Sequence, residues 1–117
     1  MITKLKFLVG QNSNNTYTYI NVDLYNIKLD DNNYLYQIIN SRTTPVSGHV
    51  DNGSRTKQLF NYLITPNFTF KIIEKENTID IEMYCKLCKY VRYKDFYPHE
   101  IILIHNENDP LVEDKEC

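Results

Sequence analysis

The chain has 117 residues, 42% apolar and 24% charged, which suits one globular domain and excludes a disordered chain. A net charge of −2 excludes a protein whose whole surface grips nucleic acid. No apolar run approaches the ~20 residues that span a bilayer. The first residues, MITKLKFLVGQNSNN, lack a signal-peptide pattern, so an intracellular protein (host cytoplasm or nucleus, or virion interior) with reduced thiols and no membrane contact is expected.

Taken in order, the chain alternates in short segments. Leu5, Phe7 and Val9 share one face of a strand, with Lys4 and Lys6 on the other. Thr18, Ile20, Val22 and Leu24 alternate against Tyr19, Asn21 and Asp23. Asp30-Asp31-Asn32-Asn33 is a turn signal, because these side chains bond their own backbone, and YLYQII returns from it. Residues 17–39 thus read as a hairpin and residues 40–54 as a loop, punctuated by Pro45, Gly48 and Asn52-Gly53. Within that loop His49, Asp51 and Ser54 are close in sequence, but nothing there pairs a nucleophile with a base, and a contact loop is the expectation. Ser54 is placed to cap a short helix whose Leu59, Phe60 and Leu63 share a face and which Pro66 stops.

FTFKII, a turn over EKEN and TIDIEMY form a second hairpin, with Ile79, Ile81 and Met83 inward and Asp80 and Glu82 outward. KYVRY and EIILIH follow as strands, then an acidic tail. The expected fold is α+β, mainly antiparallel β, with six or seven strands, one short helix and a ribbon-like C-terminal half. It divides as a single domain into a hairpin region (1–40), a loop and helix (41–66), a ribbon-like region (67–105) and the tail (106–117).

Alanine and tryptophan are absent, and lysine outnumbers arginine 10 to 3. With the wealth of Asn, Ile and Tyr this indicates a low-GC genome such as that of a large DNA virus. The three Asn-x-Ser/Thr sequons at Asn14, Asn52 and Asn67 follow from the same bias.

Chemistry concentrates in MYCKLCKYVRYKDFYPHE, residues 83–100. Cys85-x-x-Cys88 is the usual half of a tetrahedral thiolate site, which makes zinc the cofactor to expect. The remaining ligand candidates are His49, His99, His105 and Cys117. His99 and His105 are six residues apart on a strand-like run, hence about 20 Å apart, so one of them at most joins the cysteines. His99, after Pro98, is the better placed. A symmetric homodimer offers the alternative of Cys85 and Cys88 supplied twice. A redox pair fits less well, since a strand and no helix follows Cys88.

The same run carries Lys86, Lys89, Arg92 and Lys94 interleaved with Tyr84, Tyr90, Tyr93, Phe96 and Tyr97. Cations neutralise phosphates and aromatic faces stack bases, so residues 84–97 are a candidate contact for single-stranded nucleic acid. Lys86, Lys89, Tyr90, Arg92, Tyr93 and Lys94 suit a protein partner equally, because Tyr and Arg favour interface cores.

FTFKIIEKENTIDIEMYCKLCKYVRY resembles part of a zinc ribbon, that of the small zinc-ribbon subunit of RNA polymerases and of transcription elongation factor S. Asn77, Tyr84, Cys85, Cys88, Tyr90 and Val91 carry the resemblance, over about residues 64–105. The family's first Cys-x-x-Cys is replaced by YLITPN at 62–67. The resemblance implies a non-enzymatic, transcription-related accessory subunit with a structural zinc knuckle. The alternative is a metal-free viral or phage interaction protein, either a virion component or an inhibitor of a host factor.

Overall fold

The computed structural model describes residues 1–65, 68–84 and 91–105. Its elements are β1 (Ile2–Gln11), β2 (Tyr17–Asp30), β3 (Asn33–Thr44), α1 (Arg55–Ile64), β4 (Thr69–Glu74), β5 (Ile79–Tyr84), β6 (Val91–Phe96) and β7 (Ile101–His105). The seven strands form one antiparallel sheet in the order β6-β5-β4-β3-β2-β1-β7. The expected fold class, mainly antiparallel β with one short helix, is the one adopted.

The order of strands dictates a curled sheet. β6 and β7 are consecutive in sequence yet occupy opposite edges, joined through residues 97–100. In a flat sheet six strand spacings would separate them by about 29 Å. Five Cα–Cα steps from Phe96 to Ile101 reach at most about 18 Å. The sheet therefore bends until its two edges approach.

The concave side holds the core. Alternation points Leu5, Phe7, Val9, Ile20, Val22, Leu24, Phe70, Ile79 and Ile81 inward, and all are buried. α1 packs across β1 and β3 through Leu59, Phe60 and Leu63, with the Phe60 ring edge-on to Phe7 at 5.6 Å. Ser54 caps the helix as expected, its Oγ accepting the Lys57 N–H at 3.1 Å. Burial pushes the Tyr36 phenol up to about 12, so it stays neutral within the core.

Two irregularities shape the sheet. In the β2–β3 ladder Asp23 pairs with Asn40 but Leu24 with Ile38, leaving Ile39 as an extra residue that bends the hairpin. β3 also runs to Thr44, beyond the expected hairpin end at residue 39. Asn40, Ser41 and Arg42 show no apolar alternation, because they are exposed there, and backbone pairing to β2 holds them in place. The loop that follows docks on β1: the Asp51 N–H donates to the Val9 carbonyl at 2.7 Å. Gly10 permits this approach, since a Cβ there would collide with the His49 carbonyl oxygen.

At the closing corner Arg55 holds β6 to β7. Its guanidinium lies 4.2 Å from the Phe96 ring centroid and donates to the carbonyls of Lys94 and Asp95. It also donates to Glu100 Oε1 at 2.9 Å, and that oxygen accepts the Tyr97 N–H as well. Burial disfavours the Glu100 charge, yet Arg55 and the Tyr97 N–H outweigh it and hold the carboxyl below the usual glutamate range.

Candidate partner-binding edge and a buried charge network

The outer face of β4, β5 and β6 carries the residues that alternation assigned to solvent. Asp80 and Glu82 do face outward, but they are buried, Asp80 completely. Opposite Asp80 the β6 ladder holds two residues where one is expected, since Ile79 pairs with Phe96 and Ile81 with Tyr93. Asp95 accommodates this bulge in the left-handed region, at φ 63°. Its N–H then points at Asp80 Oδ1, 2.9 Å away. Lys75 Nζ reaches the same oxygen at 3.1 Å and Asp95 Oδ1 at 2.9 Å. Arg92 donates twice to Asp80 Oδ2, at 3.0 and 2.8 Å, and meets Glu82 Oε2 at 2.9 Å.

Asp80 thus accepts on both oxygens. Burial works against its charge, but the Asp95 N–H, Arg92 and Lys75 outweigh that and hold the carboxyl below the usual aspartate range. The pattern is structural: every donor is engaged in fixing the bulge, and Asp80 is sealed from solvent.

This placement bears on the basic run. Cys85, Lys86, Cys88, Lys89 and Tyr90 lie outside the described residues. Arg92 is engaged by Asp80 and Glu82, so a phosphate would compete with two carboxylates for it. Tyr93 turns to α1, its ring 6.1 Å from that of Tyr62, and burial and Tyr62 raise its pKa. Lys94 is exposed, with its carbonyl held by Arg55.

His99 is not on a strand; it sits in the turn between β6 and β7, its ring stacked on Tyr97 at 5.8 Å. Cys85 follows the end of β5 and Cys88 precedes the start of β6, whereas His99 lies past the other end of β6. The length of β6 separates these ends by about 17 Å. The expected grouping of His99 with Cys85 and Cys88 rests on two cysteines that lie outside the described residues. Among the described residues no three His, Cys, Asp or Glu side chains gather as a metal site.

In the loop, Ser54 is used as the helix cap and Asp51 Oδ1 accepts the Gly53 N–H at 3.0 Å, so neither is aligned with His49. The His49 N–H donates to Asn12 Oδ1. This loop and the β1–β2 turn line an open groove of about 950 Å³ whose amides and hydroxyls bond one another, as in Asn12 Nδ2 to Thr16 Oγ1 at 2.9 Å.

The feature that sequence patterning did not reveal is the edge of β3. On its side away from β2, β3 has a single ladder pair, Tyr36 with Phe70. Residues 40–44 keep pairing to β2 on one side and, with the bulge residue Ile39, meet no strand on the other among the described residues. All are exposed except the half-buried Thr43, and Ile39 at the bulge is 58% exposed. Alternate residues of such a strand direct both N–H and C=O outward. Edges are usually guarded by lysine, proline or charge; here Arg42 is the one charged side chain before Pro45. Tyr25, Leu29 and Ile39 add exposed apolar surface on the same hairpin.

Strand order, helix position and an open edge define a broad class, that of single curled antiparallel sheets packed on a short helix. Compared with known protein families, curated proteins and solved structures, the chain matches none. The described residues contain no helix long and apolar enough to cross a membrane.

Proposed function

We propose that this chain is a non-enzymatic accessory or structural subunit, of viral type, that docks a protein partner on the open edge of β3. The observation that carries this reading is the run 39–44, which is paired to β2 over residues 40–44 and meets no second strand among the described residues. Such an edge gains backbone hydrogen bonds when an extended segment adds to it, and alternate side chains select the segment. The carboxylates of Asp80 and Glu82 serve the network at the bulge and that of Glu100 the closing corner, which favours binding over catalysis.

The test starts from a partner isolated from the native host, identified and then purified. Ile39→Lys places a charge on the edge at an exposed bulge and leaves the melting temperature unchanged. It is expected to weaken binding of the purified partner at least tenfold, and hydrogen exchange of residues 39–44 is expected to slow in the complex. Unchanged affinity with unchanged exchange at 39–44 would remove this edge as the docking site.

A second reading rests on the place of the Cys-x-x-Cys pair, between the ends of two ribbon strands, β5 and β6. In it Cys85 and Cys88 hold a structural zinc in a transcription-related assembly, with further thiolates from a second copy. Elemental analysis is expected to give about half a zinc per chain for a four-thiolate site shared by two chains, and about one for a site completed within one chain. Zinc below a tenth of the chain concentration after purification without chelators would eliminate this reading and leave the metal-free interaction protein.

A further inference from the structure

Asn52 and Gly53 are the only Asn-Gly pair in the chain. Both are exposed, and they lie in the turn that delivers Ser54 to the cap of α1. The Gly53 N–H donates to Asp51 Oδ1 at 3.0 Å. A carboxylate therefore rests on the proton of the very nitrogen that neighbours the Asn52 carboxamide, and glycine has no Cβ to shield that nitrogen. We propose that Asn52 is a self-modification site, at which the Gly53 nitrogen attacks the Asn52 side chain with Asp51 as the proton acceptor.

The step balances with water as the one co-reactant. A bond forms between the Gly53 nitrogen and Asn52 Cγ, and the bond from Cγ to Nδ2 breaks. The amide proton passes through the Asp51 carboxylate to the departing nitrogen, which leaves as ammonia, and a five-membered succinimide remains. Water opens the ring at either carbonyl and leaves aspartate or isoaspartate at position 52. Nothing is oxidised or reduced.

The two products differ in consequence. Both add a negative charge before the N-terminus of α1, where an anion is favourable. Isoaspartate also inserts a methylene into the main chain. That displaces the turn in which the Ser54 N–H donates to the Asp51 carbonyl at 3.1 Å and Gln58 Nε2 to the Gly53 carbonyl at 3.2 Å. The next residue is Arg55, which holds the β6–β7 corner. The isoaspartate form thus loosens the cap and the corner together.

The experiment incubates the purified full chain at pH 8 and 37 °C beside a synthetic peptide of residues 49–56. Peptide mass mapping and enzymatic methylation of isoaspartate follow position 52. Asn52 is expected to convert before every other asparagine, within a few-fold of the peptide's rate, and the isoaspartate fraction to melt at a lower temperature. Gly53→Ala should slow conversion at least tenfold and leave the melting temperature unchanged. The added Cβ meets nothing closer than Asp51 Oδ1 at 3.4 Å, and no glycine has a positive φ. Asp51→Asn should slow conversion several-fold. Intact Asn52 after the peptide has fully converted, or Gly53→Ala converting at the parental rate, would overturn the site. An Asp51→Asn rate at or above that of the parent would overturn the carboxylate's part in it.

Discussion

Asp80→Asn is expected to lower the free energy of unfolding by about 3 kcal/mol, measured by urea denaturation at neutral pH. Removing one partner of a buried ion pair costs about 3–5 kcal/mol because the other charge is left uncompensated. Here the Arg92 side chain is 34% exposed while Asp80 is 0% exposed, so water recovers part of the loss and the lower end applies. Asparagine keeps an oxygen for the Asp95 N–H, which spares the bulge itself. The comparison variant is Asp23→Asn, whose partner Lys4 is 53% exposed; it should cost about 0–1 kcal/mol. Equal losses in the two variants would mean that the network beneath β6 contributes no more than a surface pair.

The pH dependence follows from the same group. The folded pKa of Asp80 lies below the ordinary aspartate value of 3.8. Its contribution is therefore complete above that value and lost as pH falls through the lower, folded pKa. Glu100 is likewise depressed, below its ordinary 4.5. Stability should hold level from neutral pH to near those two values and fall steeply beneath them. In Asp80→Asn the acid slope should be shallower than in the parent, since one carboxylate no longer takes up a proton on unfolding.

Phe60→Ala is expected to cost about 4 kcal/mol by the same measurement. Phe60 is 6% exposed and faces the fully buried Phe7. Truncation removes the ring from the interface between α1 and β1 and leaves a cavity that the rigid sheet cannot fill. Phe60→Leu keeps most of the volume and should cost less than about 1.5 kcal/mol. A loss below 1 kcal/mol in Phe60→Ala would show that the helix lies on the sheet without being part of its core.

These two sites differ in how far the sequence announces them. Phe60 is legible: Leu59, Phe60 and Leu63 recur on one helical face behind a serine cap, a pattern fixed by local geometry. The strands β1, β2, β4 and β5 are legible for the same reason, since alternation of period two is a property of each segment alone. Asp80 is legible in direction but not in burial. Whether an outward carboxylate meets water depends on the neighbouring strand, and here that strand brings Arg92 across it while Lys75 folds over from the turn. The left-handed Asp95 that aims an N–H at Asp80 has one sequence signal, the tolerance of aspartate for that conformation. The end of β3 is hidden because polar residues on an exposed edge carry no apolar rhythm. The turn at His99 is hidden as well, since β7 begins only at Ile101.

The short link between β6 and β7 has a consequence for how the molecule is made. β7 completes the sheet by pairing with β1, as Ile102 meets Lys6 and Leu103 meets Leu5. These partners stand nearly a whole chain apart, so a ribosome releasing the chain from its N-terminal end exposes one flank of β1 until β7 emerges. Contacts of such sequence separation form slowly, and an unpaired strand invites association with other chains meanwhile. Refolding should therefore be slower and more concentration-sensitive than the protein's size suggests, with β7 acting as the stopper for β1.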